Sequence, residues 1–132
     1  MKNQALLLGQ TLHFNGNPLT DSWNETVHID SAGAVLIEGG HIAAVGPAAT
    51  LRAAHPRAQV TDYGDALICP GFVDAHVHYP QTAIIASWGK RLIDWLNLYT
   101  FPEEMRLSDP AYAAEIAGSY LDLTLDHGTT TV

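Results

Sequence analysis

Between residues 70 and 81 the chain reads Pro70-Gly71-Phe72-Val73-Asp74-Ala75-His76-Val77-His78-Tyr79-Pro80-Gln81, which sets two imidazoles one residue apart inside an apolar, β-prone run. In a strand successive side chains alternate faces, so Asp74, His76 and His78 point one way while Val73, Ala75 and Val77 point the other. On a helix the same pair would be splayed about 200° apart and could not share an ion. The stretch therefore predicts a strand. Two histidines on one face can hold a divalent metal, since neutral imidazole nitrogen suits zinc and also iron, nickel or copper. The bland alternative is a pair on a solvated face, and a bare His-x-His does not decide between the two.

What surrounds the pair narrows the choice. The 132 residues suffice for one domain with a core or for parts of two, and a chain 47% hydrophobic and 15% charged is globular in character. Six Lys and Arg stand against 14 Asp and Glu, a formal charge of −8 without any basic run, which argues against nucleic-acid binding. Cys69 is the single cysteine and can form neither an internal disulfide nor a cysteine-rich zinc site, as in a reducing compartment. No apolar run approaches the roughly 18 residues of a membrane span. The expected setting is cytoplasmic, with no nucleic-acid or membrane partner.

Residues 1–67 read as short β-like runs broken by turns. Ala5 to Leu8 and Thr11 to Phe14 come first, then Ala34 to Glu38 and His41 to Val45 around Gly39-Gly40, two residues suited to the positive φ of a tight hairpin. Pro47 should end the second of these strands. Ala48 to Ala54 reads as one or two helical turns and Gln59 to Tyr63 as a further strand. Gly64-Asp65 and the run to Pro70 mark the passage to a new unit from residue 68.

Beyond His78 the period becomes helical. Leu92, Trp95, Leu96 and Tyr99 give an amphipathic helix over Lys90 to Tyr99, which Phe101-Pro102 should terminate. A second helix, capped by Ser108 or Asp109 with Pro110 in its first turn, buries Ala113, Ile116, Ala117, Tyr120, Leu121 and Thr124 and stops at Gly128. Thr129 to Val132 then opens a strand. The fold class is α/β, and strand, helices, strand is the opening of a parallel βαβ crossover. A (β/α)₈ barrel needs on the order of 200 residues, so residues 68–132 would hold only its first units, with the metal pair on the first strand just ahead of a Pro-containing loop, the place where barrel enzymes keep catalytic residues.

Two histidines do not complete a catalytic zinc site, which takes three protein ligands and an open position, and hydrolysis also needs a general acid/base. Asp74, a strand step of about 6 to 7 Å from His76, reads as an orienting carboxylate or a buried acceptor rather than a ligand. Gln81 offers a donor and acceptors to the edge of a polar ring, or is a solvated loop residue. Trp88 can wall a pocket or simply pack. His127 fits a helix C-terminus better than a metal. His13, His28, His41 and His55 read as surface or edge residues and Cys69 as a small buried hydrophobe.

With these residues in hand, the chain resembles the amidohydrolase superfamily. Pro70 to His78 is similar to its first barrel strand and Gly128-Thr129-Thr130-Thr131 to its second. The run from His78 to Gln81, with Leu92 to Asn97 and Tyr99 to Glu104, resembles the guanine deaminase branch, while the first 67 residues match more loosely through the Gly39 to Gly46 hairpin of a small β-sandwich domain. The resemblance implies part of a β-sandwich over residues 1–67 and the start of an incomplete TIM barrel over residues 68–132. It implies His76 and His78 as ligands of one Zn²⁺ per active site, and Gln81, with Tyr79, Pro80 and Trp88 as further candidates, against the substrate guanine. It also implies deamination of guanine to xanthine and ammonia, and a homodimer for the full-length enzyme. Further metal ligands, a proton-shuttling Glu and a base-reading Arg would lie beyond Val132, so that the 132 residues alone are expected to be inactive. Another amidohydrolase deaminase, a cyclic amidohydrolase and a non-catalytic fragment are the alternatives. The His-x-Glu and Pro-Cys-x-x-Cys signature of the other zinc deaminase fold does not occur.

Overall fold

A computed structural model of the chain describes residues 4–89 and 91–132. They form two compact units, Met1–Pro70 and Gly71–Val132.

The first unit is built, among the described residues, on four strands in one sheet. Strand β1 (Gln4–Phe14) pairs antiparallel with β2 (Val27–Glu38), whose other edge carries β3 (His41–Pro47); β4 (Gln59–Ile68) runs parallel to β1. A one-turn helix α1 (Trp23–Thr26) leads into β2. The two runs expected at residues 5–8 and 11–14 are one strand, because the register shift between Gly9 and Thr11 absorbs the break in pattern without ending the ladder. Gly39 and Gly40 turn the β2–β3 hairpin with φ of 60° and 83°, values that a Cβ would strain. Pro47 is still paired, opposite Gly33, since β3 is an edge strand on which a missing N–H costs little.

Helix α2 (Ala48–Ala54) supplies the cover. Leu6, Leu8, Ala34 and Leu36 form the buried cluster on one face of the sheet, and Ala44, Ala48, Leu51 and Ala58 pack against it. Each leucine removed from water there contributes about 1.5 to 3 kcal/mol. The opposite face carries Leu7, Val35, Ile37 and Val45 around an apolar depression of about 240 Å³. The first unit, expected as part of a sandwich, thus shows a single mixed sheet among the described residues, with a helix rather than a second sheet over its core.

In the second unit β5 (Phe72–Val73) and β6 (Thr129–Thr131) are parallel neighbours. Between them come a 3₁₀ turn (Tyr79–Ile84), helix α3 (Leu92–Trp95), a π-helical turn (Leu96–Thr100), α4 (Phe101–Arg106) and α5 (Pro110–Asp126). The start predicted at Lys90 lies outside the described residues. Phe101-Pro102 does not terminate the helix. Phe101 keeps helical angles (φ −63°, ψ −42°), Pro102 enters the first turn of α4 where its missing N–H is spared, and the wider π turn precedes it. Of the apolar face predicted there, Trp95, Leu96 and Tyr99 are half-buried and Leu92 is 72% exposed.

Helix α5 follows its sequence closely. Asp109 accepts a hydrogen bond from the Ala111 N–H at 2.9 Å, Ile116 and Tyr120 are buried, and Gly128 leaves the helix at φ 81°. Leu121, placed on the buried face by its spacing, is exposed. Among the described residues no helix is long and apolar enough to cross a membrane.

Candidate metal and ligand site

The strand that was to carry the histidines ends at Val73. Phe72 N–H reaches the Gly128 carbonyl at 2.8 Å and Asp74 N–H the Thr131 carbonyl at 2.9 Å, which completes the pairing with β6. Asp74 then turns the backbone away, its Oδ1 accepting the His76 N–H at 3.1 Å. An Asp side chain that captures an N–H two residues on offers the chain an alternative to the ladder, and that competition breaks the strand. His76 and His78 therefore stand in the loop after β5, ahead of the 3₁₀ turn.

Loss of the strand does not separate the imidazoles. Their Nε2 atoms are 3.1 Å apart, with ring centroids at 5.2 Å and planes inclined by 53°. Two nitrogens bound to one tetrahedral zinc at 2.0 to 2.1 Å lie about 3.3 Å from each other. Donor type and spacing both fit a shared ion. Among the described residues no cluster of three His, Cys, Asp or Glu forms around a common centre, so the pair offers two donor nitrogens only.

The histidines, Asp74 and Gln81 line one open cavity of about 640 Å³, within the range of small-molecule sites. Gln81 is placed by the 3₁₀ turn, its N–H bonded to the His78 carbonyl at 3.0 Å, and its amide donates from Nε2 to Glu104 Oε1 at 3.1 Å. Trp95 closes another side, held by its indole N–H on the Ser87 carbonyl at 2.9 Å. Tyr120 forms part of the wall from α5. Only 8% exposed, its hydroxyl has no hydrogen-bond partner among the described residues, and burial, with the charge of Asp74 second, pushes its pKa above the ordinary tyrosine value.

Other candidates fall elsewhere. Tyr79 and Pro80 open the 3₁₀ turn without lining this cavity; the Tyr79 ring lies 6.3 Å from that of Tyr120. Trp88, 75% exposed, belongs to a separate recess of about 300 Å³ with Asp94, Leu98 and Tyr99. Cys69 is exposed rather than buried. His127 ends α5 with its Nδ1 2.8 Å from the Leu123 carbonyl. His13 and His28, opposite each other on β1 and β2, stack at 4.9 Å. Tyr120 was legible only as a core position of α5, and the Glu104 contact with Gln81, 23 residues away, has no local signal.

The amidohydrolase family profile matches residues 67–132, half of the chain, and the imidazolonepropionase-like composite domain of bacteria matches residues 33–58. The chain belongs to the amidohydrolase family. Within the family it is similar to guanine deaminases: 49% identical over 83 residues to the probable guanine deaminase of Deinococcus radiodurans, covering 63% of this chain and 19% of that protein. To the guanine deaminase of Escherichia coli it is 47% identical over 73 residues, covering 55% and 17%. The crystal structure of guanine deaminase from Bradyrhizobium japonicum matches with a TM-score of 0.86 at 34% identity, over 97% of this chain and 28% of that one. This amidohydrolase chain thus spans less than a fifth of the length of those two curated relatives.

Proposed function

We propose that the chain carries the metal-pair and purine-reading part of a guanine deaminase, which hydrolyses guanine to xanthine and ammonia in purine catabolism. The observation that carries the reading is the convergence of His76 Nε2 and His78 Nε2, 3.1 Å apart, on a cavity that Gln81 also lines. Similarity to guanine deaminases supports guanine as the substrate.

In this reading His76 and His78 would hold one Zn²⁺, and the remaining donors, with the general acid/base, would come from outside the described residues. The chemistry zinc supplies when bound is acidification of water, which yields a nucleophile at neutral pH. The residues of this chain orient and shape. Asp74 fixes the loop through the His76 N–H, Gln81 hydrogen-bonds the purine edge, and Trp95 and Tyr120 wall the cavity. Residues 68–132 are the opening of a (β/α)₈ barrel and residues 1–67 a part of the small β-sandwich domain. The complete enzyme is a cytoplasmic homodimer, and the 132 residues by themselves do not turn over substrate.

The test is turnover by the full-length protein that carries this chain, offered guanine beside cytosine, adenosine and hydantoin. Xanthine and ammonia formed from guanine at a kcat/KM well above the others is the expected result. Preference for any of the other three would assign it to another branch of the family.

A further inference from the structure

The contact between Gln81 and Glu104 settles a question that an amide usually leaves open, namely which of its ends faces outward. A carboxylate accepts and cannot donate. Since Glu104 Oε1 lies 3.1 Å from the Gln81 amide, the group facing it is the NH₂. The planar amide then carries its Oε1 on the branch away from Glu104, together with one further N–H, at a residue lining the cavity of His76 and His78. The two partners are held on different elements, Gln81 by the 3₁₀ turn that follows the histidines and Glu104 by α4.

We infer that Glu104 is a positioning residue for substrate specificity, which locks the Gln81 amide with its carbonyl oxygen toward the ligand so that the site reads an N–H donor on the heterocycle. The inference rests on the purine-reading role proposed for Gln81 and deepens it. An amide free to turn over would accept from a ring N–H or donate to an unprotonated ring nitrogen about equally. One locked by a carboxylate penalises the second, because two acceptors would then meet without a proton between them. Guanine, which carries ring N–H groups, is a substrate of the class such a site selects. Glu104 touches no substrate itself and acts through Gln81.

The experiment measures steady-state deamination of guanine by the full-length protein and its E104Q, E104A and E104K variants, each checked for zinc content and melting temperature. E104Q keeps an acceptor but adds a donor, so it holds the Gln81 amide less firmly than the carboxylate and should raise KM about threefold. E104A frees the amide and should raise KM about tenfold, and E104K, which offers only donors and so turns the amide over, should raise it further. In each case kcat moves less than KM, the pattern of lost binding rather than lost chemistry. The double variant Q81E/E104K, in which the introduced lysine holds one oxygen of a carboxylate and leaves the other for the ligand, should recover much of what E104K loses. A merely structural tie between the turn and α4 would give no such order. The inference is overturned if E104A and E104Q have the same KM, or if the double variant is no better than E104K. A parent protein inactive on guanine would overturn the functional reading itself and this inference with it, whereas an active parent with unresponsive variants would overturn this inference alone. Should E104K fail to fold, the comparison of E104Q with E104A still decides.

Discussion

The Nε2 atoms of His76 and His78 stand 3.1 Å apart although neither residue lies in a strand. Chelation needs convergent nitrogens, not a particular backbone, and the loop after β5 delivers that convergence in place of the pleat. Replacing either histidine by alanine leaves a single imidazole donor. Each variant should lose at least about a hundredfold in zinc affinity, more than the tenfold to hundredfold typical of removing a group behind a ligand. Zinc titration against a chromophoric chelator measures this, and parent-like affinity in H76A or H78A would place the metal elsewhere.

Asp74 should matter to that affinity without touching the ion. Its Oδ1 holds the His76 N–H at 3.1 Å, which sets the turn that brings the two rings together. Asparagine can accept the same bond with its side-chain oxygen, and alanine cannot. D74A is expected to weaken zinc binding by about tenfold to a hundredfold and D74N by several-fold less. Equal losses in both would mean that the negative charge, not the turn, is what the metal senses.

Glu103 ties α4 to α5 in a way that makes stability depend on pH. Only 6% exposed, it accepts a hydrogen bond from the Tyr112 hydroxyl and pairs with Arg106 at 2.8 Å, and the Arg106 guanidinium lies over the Tyr112 ring at 4.0 Å. The Tyr112 hydroxyl first, then Arg106, hold its carboxyl below the ordinary value of 4.5 against the opposing effect of burial. A carboxyl whose folded pKa is depressed adds stability that is fully present above its unfolded value and disappears as pH falls through the folded one. E103Q should therefore be less stable than the parent by about 1 to 2 kcal/mol at pH 7, and the gap should close as pH falls below 4.5. Urea unfolding at pH 7 and at about pH 3 gives both numbers; a gap unchanged by acid would show that the ionised carboxylate is not what stabilises the contact.

How much of this was readable beforehand follows from the range of each determinant. Gly39-Gly40, the Ala48–Ala54 helix and the whole of α5 with its Asp109 cap are set by neighbours within a turn or two, and the sequence shows them. His76, His78 and Gln81 were legible as candidates because the residue types and spacing are local. The strand through His78 was misread because Asp74, taken as a partner on the same face, captures the His76 N–H instead. Pro102 was misread as a stop because propensity cannot see the π turn ahead of it. Tyr120 and Glu104 reach the site from α5 and α4, and only tertiary placement brings them there.

The cap of α5 offers a test of how firmly the second unit holds its cavity wall. Asp109 satisfies the Ala111 N–H at 2.9 Å at the start of a 17-residue helix whose buried Tyr120 lines the cavity. A helix start otherwise leaves its first N–H groups unpaired, and an acidic side chain there also meets the positive end of the helix dipole. D109A should cost about 0.5 to 2 kcal/mol, with D109S or D109N retaining most of it. Because the cap lies about 17 Å along the helix from Tyr120, at 1.5 Å per residue, the loss should appear in unfolding free energy while zinc affinity stays at the parent's value. A fall in both would mean that α5 frays far enough to move Tyr120, and that the wall depends on the cap.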